Sequence, residues 1–289
     1  MAEIAMKRVL LLFDSDPIPN AHDIIVGYDG GADHVVSYGG ITPHNVDPLI
    51  DGAIFTRGPN EKRLTAIFLS GTNMAAGEEL LGAVTKRFFA DFRVSVMLDS
   101  NGSNTTAAAG VAQIAKAVPL ADKKVVVLGT GPVGLRAAAL FAKESAQVTL
   151  TSRDKPRAAA ACRLLQTRFG VSPIPLAAVD NDARGASIRG ANIVFAAGAT
   201  GVELLEERHW RDEPTIELIA DCNVQPPLGI AGIETTDKGN TRQQKLVFGA
   251  LGIGALKLKL HRACIAQLFQ SSGQVLDAEE IYALAKTMT

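Results

Sequence analysis

Short apolar runs alternate with longer amphipathic segments over the first hundred residues. The apolar runs predict buried strands, and the segments between them, where apolar positions recur at helical spacing, predict helices. Strands are expected at residues 9–13, 35–38, 64–69 and 93–98, and helices after Asn20, from Thr42-Pro43 onward and over residues 74–89. Because the two kinds of element alternate, this segment is expected to form a mainly parallel sheet with helices on both faces.

The same alternation continues in the second half of the chain. It predicts strands at residues 125–128, 148–150, 173–176, 193–198 and 216–220, and helices at 135–143, 156–169, 182–189 and 249–262. The sequence therefore predicts an α/β fold throughout. No internal repeat or low-complexity tract interrupts it.

A glycine-rich turn follows the strand at 125–128 and has the spacing G-x-G-x-x-G. Gly129 would let the chain turn tightly, Gly131 would let the backbone approach a pyrophosphate, and Gly134 would let the helix pack closely on the strand. The phosphates of a dinucleotide would then lie at the helix N-terminus, among free N–H groups. An ordinary glycine-rich turn between a strand and a helix is the alternative. The whole turn is predicted to bind the cofactor, through Gly129, Thr130, Gly131, Pro132, Val133 and Gly134.

The end of the next strand indicates which dinucleotide binds. An NAD site usually has an acidic residue there, whereas an NADP site offers a cation to the 2′-phosphate. Here the strand ends in Ser152 and Arg153, and Lys155 and Arg157 add positive charge, which favours NADP. Asp154 would instead favour NAD, because a shift of the strand end by one residue would place its carboxylate at the ribose. The remaining predicted cofactor contacts follow two later strands, at Ala197, Gly198 and Asn223.

The proline-containing link at residues 119–122 is the expected domain boundary. Residues 1–118 are predicted to form an N-terminal substrate-binding and catalytic α/β domain, joined by C-terminal helices at 265–289. Residues 119–264 are predicted to form a Rossmann-type NADP-binding domain. A chain of 289 residues, 47% hydrophobic, is long enough for two such domains.

Composition excludes several classes of function. A net charge of −1 and a pI near 6.5 give no general attraction for nucleic acid or for anionic membranes. The apolar run near the N-terminus is too short for a signal peptide or a membrane span, so a cytoplasmic location is expected. The three cysteines are far apart and form no C-x-x-C, and Asp14 and Asp16 have no third ligand near them in sequence. No disulfide framework or metal site is therefore expected.

Two polar stretches lie outside the nucleotide motif. Hydroxyl and amide side chains crowd residues 99–106, either because they cap the following helix or because they bind a polar substrate. Further on, Lys257 and His261 are four residues apart and share one face of the last long helix. Taken alone, this pair is more typical of a solvated helix with extended lysines.

With these residues in view, the chain resembles the NADP-dependent methylene-tetrahydromethanopterin dehydrogenases of one-carbon metabolism. The resemblance covers nearly the whole chain. It is carried by the matching runs at residues 27–33, 98–106, 129–134, 225–230 and 249–263.

The resemblance implies oxidation of a methylene-tetrahydropterin to its methenyl form with NADP, on tetrahydromethanopterin and also on tetrahydrofolate. It further implies two domains with the active site in the cleft between them, and a homo-oligomer, a trimer in this family. The family's catalytic positions match Thr106, Lys257 and His261. The implied substrate-binding residues are His22, Asp23, Asp99, Asn101 and Ser103. His22 departs from the family, which has an aromatic residue at this position, and the departure bears on carrier preference.

Two other functions remain open at this stage. Related folate enzymes often combine the dehydrogenase with a cyclohydrolase, although their Tyr-x-x-x-Lys motif is not seen in the N-terminal half of this chain. A non-catalytic NADPH-binding sensor would share the nucleotide fold but would not need a polar substrate cluster. Hydride transfer from a methylene carbon between two nitrogens removes no proton, so a dehydrogenase needs positioning residues rather than a general base.

Overall fold

The computed structural model describes residues 6–289 and is α/β throughout. Within these residues the strands are β1 (Val9–Asp14), β2 (His34–Tyr38), β3 (Thr65–Ser70), β4 (Ser95–Leu98), β5 (Lys124–Leu128), β6 (Gln147–Ser152), β7 (Ile174–Ala177), β8 (Ile193–Ala196), β9 (Leu218–Asp221), β10 (Lys238–Arg242), β11 (Lys245–Phe248) and β12 (Val275–Leu276). The helices are α1 (Ala21–Asp29), α2 (Asp47–Phe55), α3 (Met74–Arg87), α4 (Ser103–Ala117), α5 (Pro132–Lys143), α6 (Lys155–Phe169), α7 (Asn181–Ser187), α8 (Glu207–Trp210), α9 (Ala250–Leu268) and α10 (Ala278–Thr287).

The chain divides into two compact units. Unit 1 contains the described residues up to Thr105 together with Leu258–Leu284, and unit 2 contains Thr106–Lys257 and Ala285–Thr289. Each unit has its own sheet, as the alternation of elements predicts.

Unit 1 is built on a five-stranded sheet in the order β12-β4-β3-β1-β2, and all of its pairings are parallel. All six residues of β3 and all four of β4 are buried, which explains why these strands are continuous apolar runs rather than alternating ones. Helices α2 and α3 contribute Ile50, Ile54, Leu80 and Val84 to the core beneath this sheet. The carboxyl ends of β1, β3 and β4 therefore lie along one edge.

Unit 2 is built on a seven-stranded sheet in the order β10-β11-β9-β8-β5-β6-β7. Every pairing is parallel except that of β10 with β11, which adds an antiparallel edge. The glycine turn follows β5, which lies between β6 and β8. Strand order reverses at this point, which is where open α/β sheets bind their ligands.

The division between units differs from the expected boundaries at 118/119 and 264/265. Most of α4 belongs to unit 2 because it packs there: a Cβ atom added to Gly110 would lie 2.9 Å from the ring of Phe195. In the same unit Gln113 donates to the carbonyl of Ile253 over 3.4 Å, which holds the first half of α9 against α4. The last residues also belong to unit 2, where Lys286 pairs with Glu144 at 2.8 Å.

One predicted helix start was wrong. Helix α2 begins at Asp47 and has Pro48 in its first turn, whereas the sequence analysis placed the start at Thr42-Pro43. Residues 42–45 instead form a turn, in which the Asn45 side chain accepts from the Thr42 N–H over 2.8 Å and the Asn45 N–H donates to the Thr42 carbonyl. Within residues 6–289, no helix combines the length and the apolar character needed to cross a membrane.

Candidate functional site

The glycine turn of unit 2 has the geometry that its sequence predicts. Gly129 has φ of +117°, and a Cβ atom there would lie 2.7 Å from the carbonyl oxygen of Ala197. At Gly134 a Cβ atom would lie 2.2 Å from the carbonyl oxygen of Gly129. Near Gly131, by contrast, the closest atom to such a Cβ is 3.8 Å away, which leaves the space that an approaching pyrophosphate needs.

Helix α5 begins directly after this turn, with Gly131 as its N-cap and Pro132 in its first turn. Within the described part of the chain, no side chain caps this N-terminus. The first N–H groups of the helix therefore point outward without an internal acceptor, and together with the helix dipole they favour an anion.

Asp154 lies just after the end of β6 and caps the next helix. Its side chain accepts from the backbone N–H of Arg157 over 2.7 Å at the start of α6. The guanidinium of Arg157 reaches back to the glycine turn and donates to Thr130 Oγ1 over 3.1 Å. The end of β6 thus offers cations and the buried hydroxyl of Ser152. The carboxylate of Asp154 is hydrogen-bonded to the start of α6.

A further arginine adds to this positive charge. Burial lowers the pKa of Arg184, and the positive charge of Arg153 lowers it further, while Asp180 opposes the shift. The two guanidinium groups therefore repel each other, and an anion close to both would relieve that repulsion. Arg184 lies in α7 and donates to the Leu204 carbonyl over 2.6 Å, which fixes its position.

The loop after β9 contains the other predicted cofactor residue of this sheet edge. Burial raises the pKa of Asp221, and hydrogen bonds from the backbone of Asn223, Ile230 and Gly229 offset part of the shift. Asn223 N donates to Asp221 Oδ1 over 2.9 Å, and Ile230 N donates to Oδ2 over 3.0 Å. Asp221 thus fastens both ends of this loop, and Asn223 is held 5% exposed beside it.

Unit 1 has a polar cluster of its own at the carboxyl edge of its sheet. Asp23, in the first turn of α1, accepts a short hydrogen bond from the hydroxyl of Ser70, the last residue of β3. Its other oxygen lies 3.2 Å from His22 Nδ1. The buried carboxylate is therefore held in one orientation, and the dipole of α1 favours its negative charge.

Asp99 follows β4 and organises the start of α4. Its Oδ1 accepts from the N–H groups of Asn104 and Thr105 over 2.8 and 3.0 Å, and its Oδ2 accepts from Thr105 Oγ1 over 2.6 Å. Asn104 in turn donates to the carbonyl of Leu98 and to Asp277 Oδ1. The amide-rich stretch thus supplies the cap of α4, and its acidic residue faces inward.

His261 is fully buried at the meeting point of these groups. Its Nε2 lies 4.0 Å from Asp99 Oδ2, its ring centroid lies 5.9 Å from that of His22, and the ring of Phe68 packs edge-on against it at 5.3 Å. The fold therefore brings together His22, Asp23, Asp99 and His261, which the sequence analysis assigned to substrate binding and catalysis.

The other predicted site residues lie as follows. Asn101 is exposed in a left-handed conformation with φ of +54°, and its N–H donates to the Gly71 carbonyl. Ser103 is buried at the start of α4. Thr106 and Lys257 are half-buried residues of α4 and α9, and both belong to unit 2.

Ser70 and Phe68 of β3 contact the cluster but were missed from sequence. The signal for Ser70 was a polar residue directly after a buried apolar run. The edge contact of Phe68 left no signal, because a buried phenylalanine in a strand is expected in any core.

Comparisons with known proteins match both the N-terminal part and the nucleotide-binding part of the chain. Residues 21–101 match the family model described as methylene-tetrahydromethanopterin dehydrogenase, N-terminal, and residues 117–229 match a putative NAD(P)-binding model. The chain is 56% identical to the bifunctional protein MdtA of Methylorubrum extorquens, covering 98% of this chain and 99% of the relative. It is 30% identical to the NAD(P)-dependent methylenetetrahydromethanopterin dehydrogenase of the same organism, covering 91% and 92%.

Solved structures with much lower identity share the fold. A 5-ketofructose reductase of a Gluconobacter strain has a TM-score of 0.55 at 13% identity, covering 98% of this chain and 99% of its own. A shikimate dehydrogenase in complex with NADP+ has a TM-score of 0.54 at 13% identity, covering 98% and 96%. At this identity the likeness supports the α/β, Rossmann-like architecture alone.

Proposed function

The chain belongs to the methylene-tetrahydromethanopterin dehydrogenase family, and on that premise we propose that it oxidises methylene-tetrahydromethanopterin, and also methylene-tetrahydrofolate, to the methenyl form. It is an oxidoreductase, and NADP is its cofactor. The observation that carries the substrate half of this proposal is the cluster of His22, Asp23, Asp99 and His261 in unit 1, in which His22 is exposed and the other three residues are buried. Its imidazoles and carboxylates can hydrogen-bond the amide and amine groups of a pterin.

The proposed reaction moves one hydride and no proton. The C–H bond of the methylene carbon would break with both electrons leaving as hydride, and the product would be a cation delocalised over the two flanking nitrogens. NADP supplies the electron acceptor when it is bound. The protein's part is to hold the carbon in position and to exclude water, so no general base is required.

The proposed roles of the side chains follow from their charge. His261, Lys257 and Thr106 would orient the pterin by hydrogen bonds, all three being assigned by family resemblance. A protonated lysine close to the reacting carbon would oppose the growing positive charge, so Lys257 would contact the pterin away from that carbon. The remaining proposed substrate contacts are His22, Asp23, Asp99, Asn101 and Ser103.

For the cofactor, we propose that the pyrophosphate lies on the amides after Gly131. The 2′-phosphate would bind Ser152, Arg153 and Arg157. Support comes from the uncapped start of α5 within the described residues and from the engagement of Asp154 with α6. The other proposed contacts are Gly129, Thr130, Pro132, Val133, Gly134, Ala197, Gly198 and Asn223.

The metabolic role, the cellular location and the oligomeric state are likewise proposals. Family resemblance favours one-carbon metabolism at the level of formaldehyde and formate, and a homo-oligomer with a trimer as the expected state. We also propose a cytoplasmic location. A net charge of −1 favours neither a nucleic acid nor an anionic membrane as partner. Light scattering of the purified protein tests the oligomer, and a monomer at micromolar concentration would contradict it.

Replacing Lys257 tests the residue assignment most simply. We expect Lys257→Ala to lower kcat/KM by well over twofold, because twofold corresponds to only about 0.4 kcal/mol of transition-state stabilisation. Lys259→Ala is the matched control, since Lys259 is an exposed residue of the same helix. Equal activities of the two variants would remove Lys257 from the site.

The proposed function is tested by following NADPH formation with each methylene carrier, with NADP and then with NAD. Turnover with NADP on either carrier is expected, and the ratio of rates reports the carrier preference to which His22 contributes. Hydrolysis of the methenyl product measured in parallel would reveal a cyclohydrolase. Tight NADPH binding without turnover on either carrier would instead support the sensor.

A further inference from the structure

His22, Asp23 and His261 bring three metal-ligating groups together at one point of unit 1. Each offers one ligand atom, and these atoms all lie within 4.8 Å of one another. We propose that this cluster binds a divalent transition-metal ion of the Zn²⁺ class. Two imidazoles and one carboxylate form a recurrent ligand set for such ions and leave a coordination position open.

The spacing requires only a small closure of the cluster. Ligands about 2.1 Å from a tetrahedral ion lie roughly 3.4 Å apart. His22 Nδ1 and Asp23 Oδ1 are already 3.2 Å apart. The side chain of His22 is 46% exposed and can rotate, so it is the ligand that would move to complete the triangle with His261.

The surrounding groups fit a bound cation. Ser70 donates to Asp23 Oδ2, which leaves Oδ1 directed toward His22 and fixes the carboxylate as a ligand on one oxygen. Asp99 Oδ2 lies 4.0 Å from His261 Nε2, which is beyond hydrogen-bond distance but places a second carboxylate beside this imidazole. Asp23 and Asp99 together supply two negative charges for a divalent ion.

The site also has an entry path and a rigid base. His261 is fully buried, with the ring of Phe68 packed edge-on against it, so its imidazole is held in place. His22 lies on the solvent side of the cluster. An ion would therefore reach the cluster by way of His22 and meet a preorganised ligand beneath it.

The sequence analysis predicts no metal site, and the fold explains the difference. His22 and Asp23 begin α1, whereas His261 lies near the other end of the chain in α9. Their spacing along the sequence matches no local ligand motif, so only the packing of α9 against the sheet of unit 1 brings them together.

Metal binding at this cluster does not rest on the proposed function. Its consequence for activity does, because the same three side chains are proposed to contact the pterin. A bound ion would then compete with the pterin, and Zn²⁺ would raise the KM for the pterin without changing kcat.

The test uses the full chain without a histidine tag, in the absence of substrate. Zn²⁺ is titrated by calorimetry, and Co²⁺ is titrated by its visible absorption, which reports the coordination geometry. We expect one ion per chain, and His22→Phe should weaken binding by about tenfold or more, equivalent to about 1.4 kcal/mol. His44→Phe is the matched control, since His44 is exposed and the hydrogen bond that it donates to Thr42 Oγ1 comes from its backbone N–H, not from its imidazole.

Equal binding by wild type and His22→Phe would overturn the proposal, as would an equal loss in the His44→Phe variant. His261→Gln gives a second route, because it should abolish the tetrahedral Co²⁺ spectrum; thermal unfolding of the apo variant checks that it still folds. Metal binding without pterin turnover would leave this inference standing and refute the proposed function, so the two failures are distinguishable.

Discussion

Replacing Gly134 with alanine would test whether the glycine turn of unit 2 is built for a dinucleotide. The added Cβ atom would lie 2.2 Å from the carbonyl oxygen of Gly129, whereas ordinary contacts begin at 3.4 Å. Turn and helix must therefore separate by about 1.2 Å, the difference between these two distances. The carbonyl oxygen belongs to the backbone and the Cβ atom is bonded directly to it, so no flexible side chain can move aside to relieve the contact.

This displacement has two measurable effects. Overpacking of a close contact costs about 1–3 kcal/mol, which at about 2–4 °C per kcal/mol lowers Tm by about 2–12 °C. A shift of about 1 Å in a binding loop can reduce rate by about a hundredfold, and here we expect the KM for NADP to rise at least about tenfold. Initial rates over a range of NADP concentrations, together with thermal unfolding, measure both.

Gly82→Ala is the matched control, because Gly82 is an exposed glycine within α3 and has no atom within 4 Å of an added Cβ. This change should stabilise the protein by about 0.5–1 kcal/mol through helix propensity. The two substitutions are therefore expected to change the stability in opposite directions. If Gly134→Ala left both Tm and the KM for NADP within error of wild type, the close packing of turn and helix would be refuted.

Three further predictions concern charge and burial. Arg153→Ala should raise the KM for NADP about tenfold, since a charge-assisted hydrogen bond contributes about 1.5 kcal/mol, and should leave the KM for NAD unchanged. Arg163→Ala is the control, because Arg163 is an exposed arginine of α6. Equal effects of Arg153→Ala on both cofactors would contradict the assignment. Asp99→Ala should lower the free energy of unfolding by about 1–3 kcal/mol in urea titrations, because it removes the acceptor for two backbone N–H groups at the start of α4; a change under about 0.5 kcal/mol would show that this cap is dispensable. Burial raises the pKa of Cys264 and the charge of Asp99 raises it further, so its thiol should stay protonated and resist iodoacetamide at pH 8 until the chain unfolds; peptide mapping that finds it alkylated in the native protein would count against this burial.

The parts of the fold that were predictable from sequence are local ones. The order strand, glycine turn, helix and strand in unit 2 was confirmed because its signals are local, as in the packing of Gly134 against Gly129 within one turn. The buried strands of unit 1 were predicted because they are apolar on both faces. The polar hairpin of β10 and β11 was missed: β10 reads Lys-Gly-Asn-Thr-Arg, without apolar alternation, and its turn uses Gln243 and Gln244 at positive φ instead of the usual Asn-Gly.

The candidate site was only partly predictable, because its geometry depends on contacts between distant parts of the chain. The carboxylate of Asp154 could not be placed from sequence, since a rotation of one residue decides between capping α6 and facing a ribose. Likewise, the distance between His22 and His261 depends on how α9 packs on the sheet of unit 1. Residue types therefore indicated the chemistry, while the structure determined which of them meet.

The most direct test of the central claim is to follow the hydride itself. The methylene carbon of the carrier is labelled with deuterium, the protein is supplied with NADP, and the reduced cofactor is analysed by mass spectrometry. The account predicts NADPH that carries one deuterium, formed in step with the methenyl product. Reduced cofactor without deuterium, or methenyl product without reduced cofactor, would contradict it.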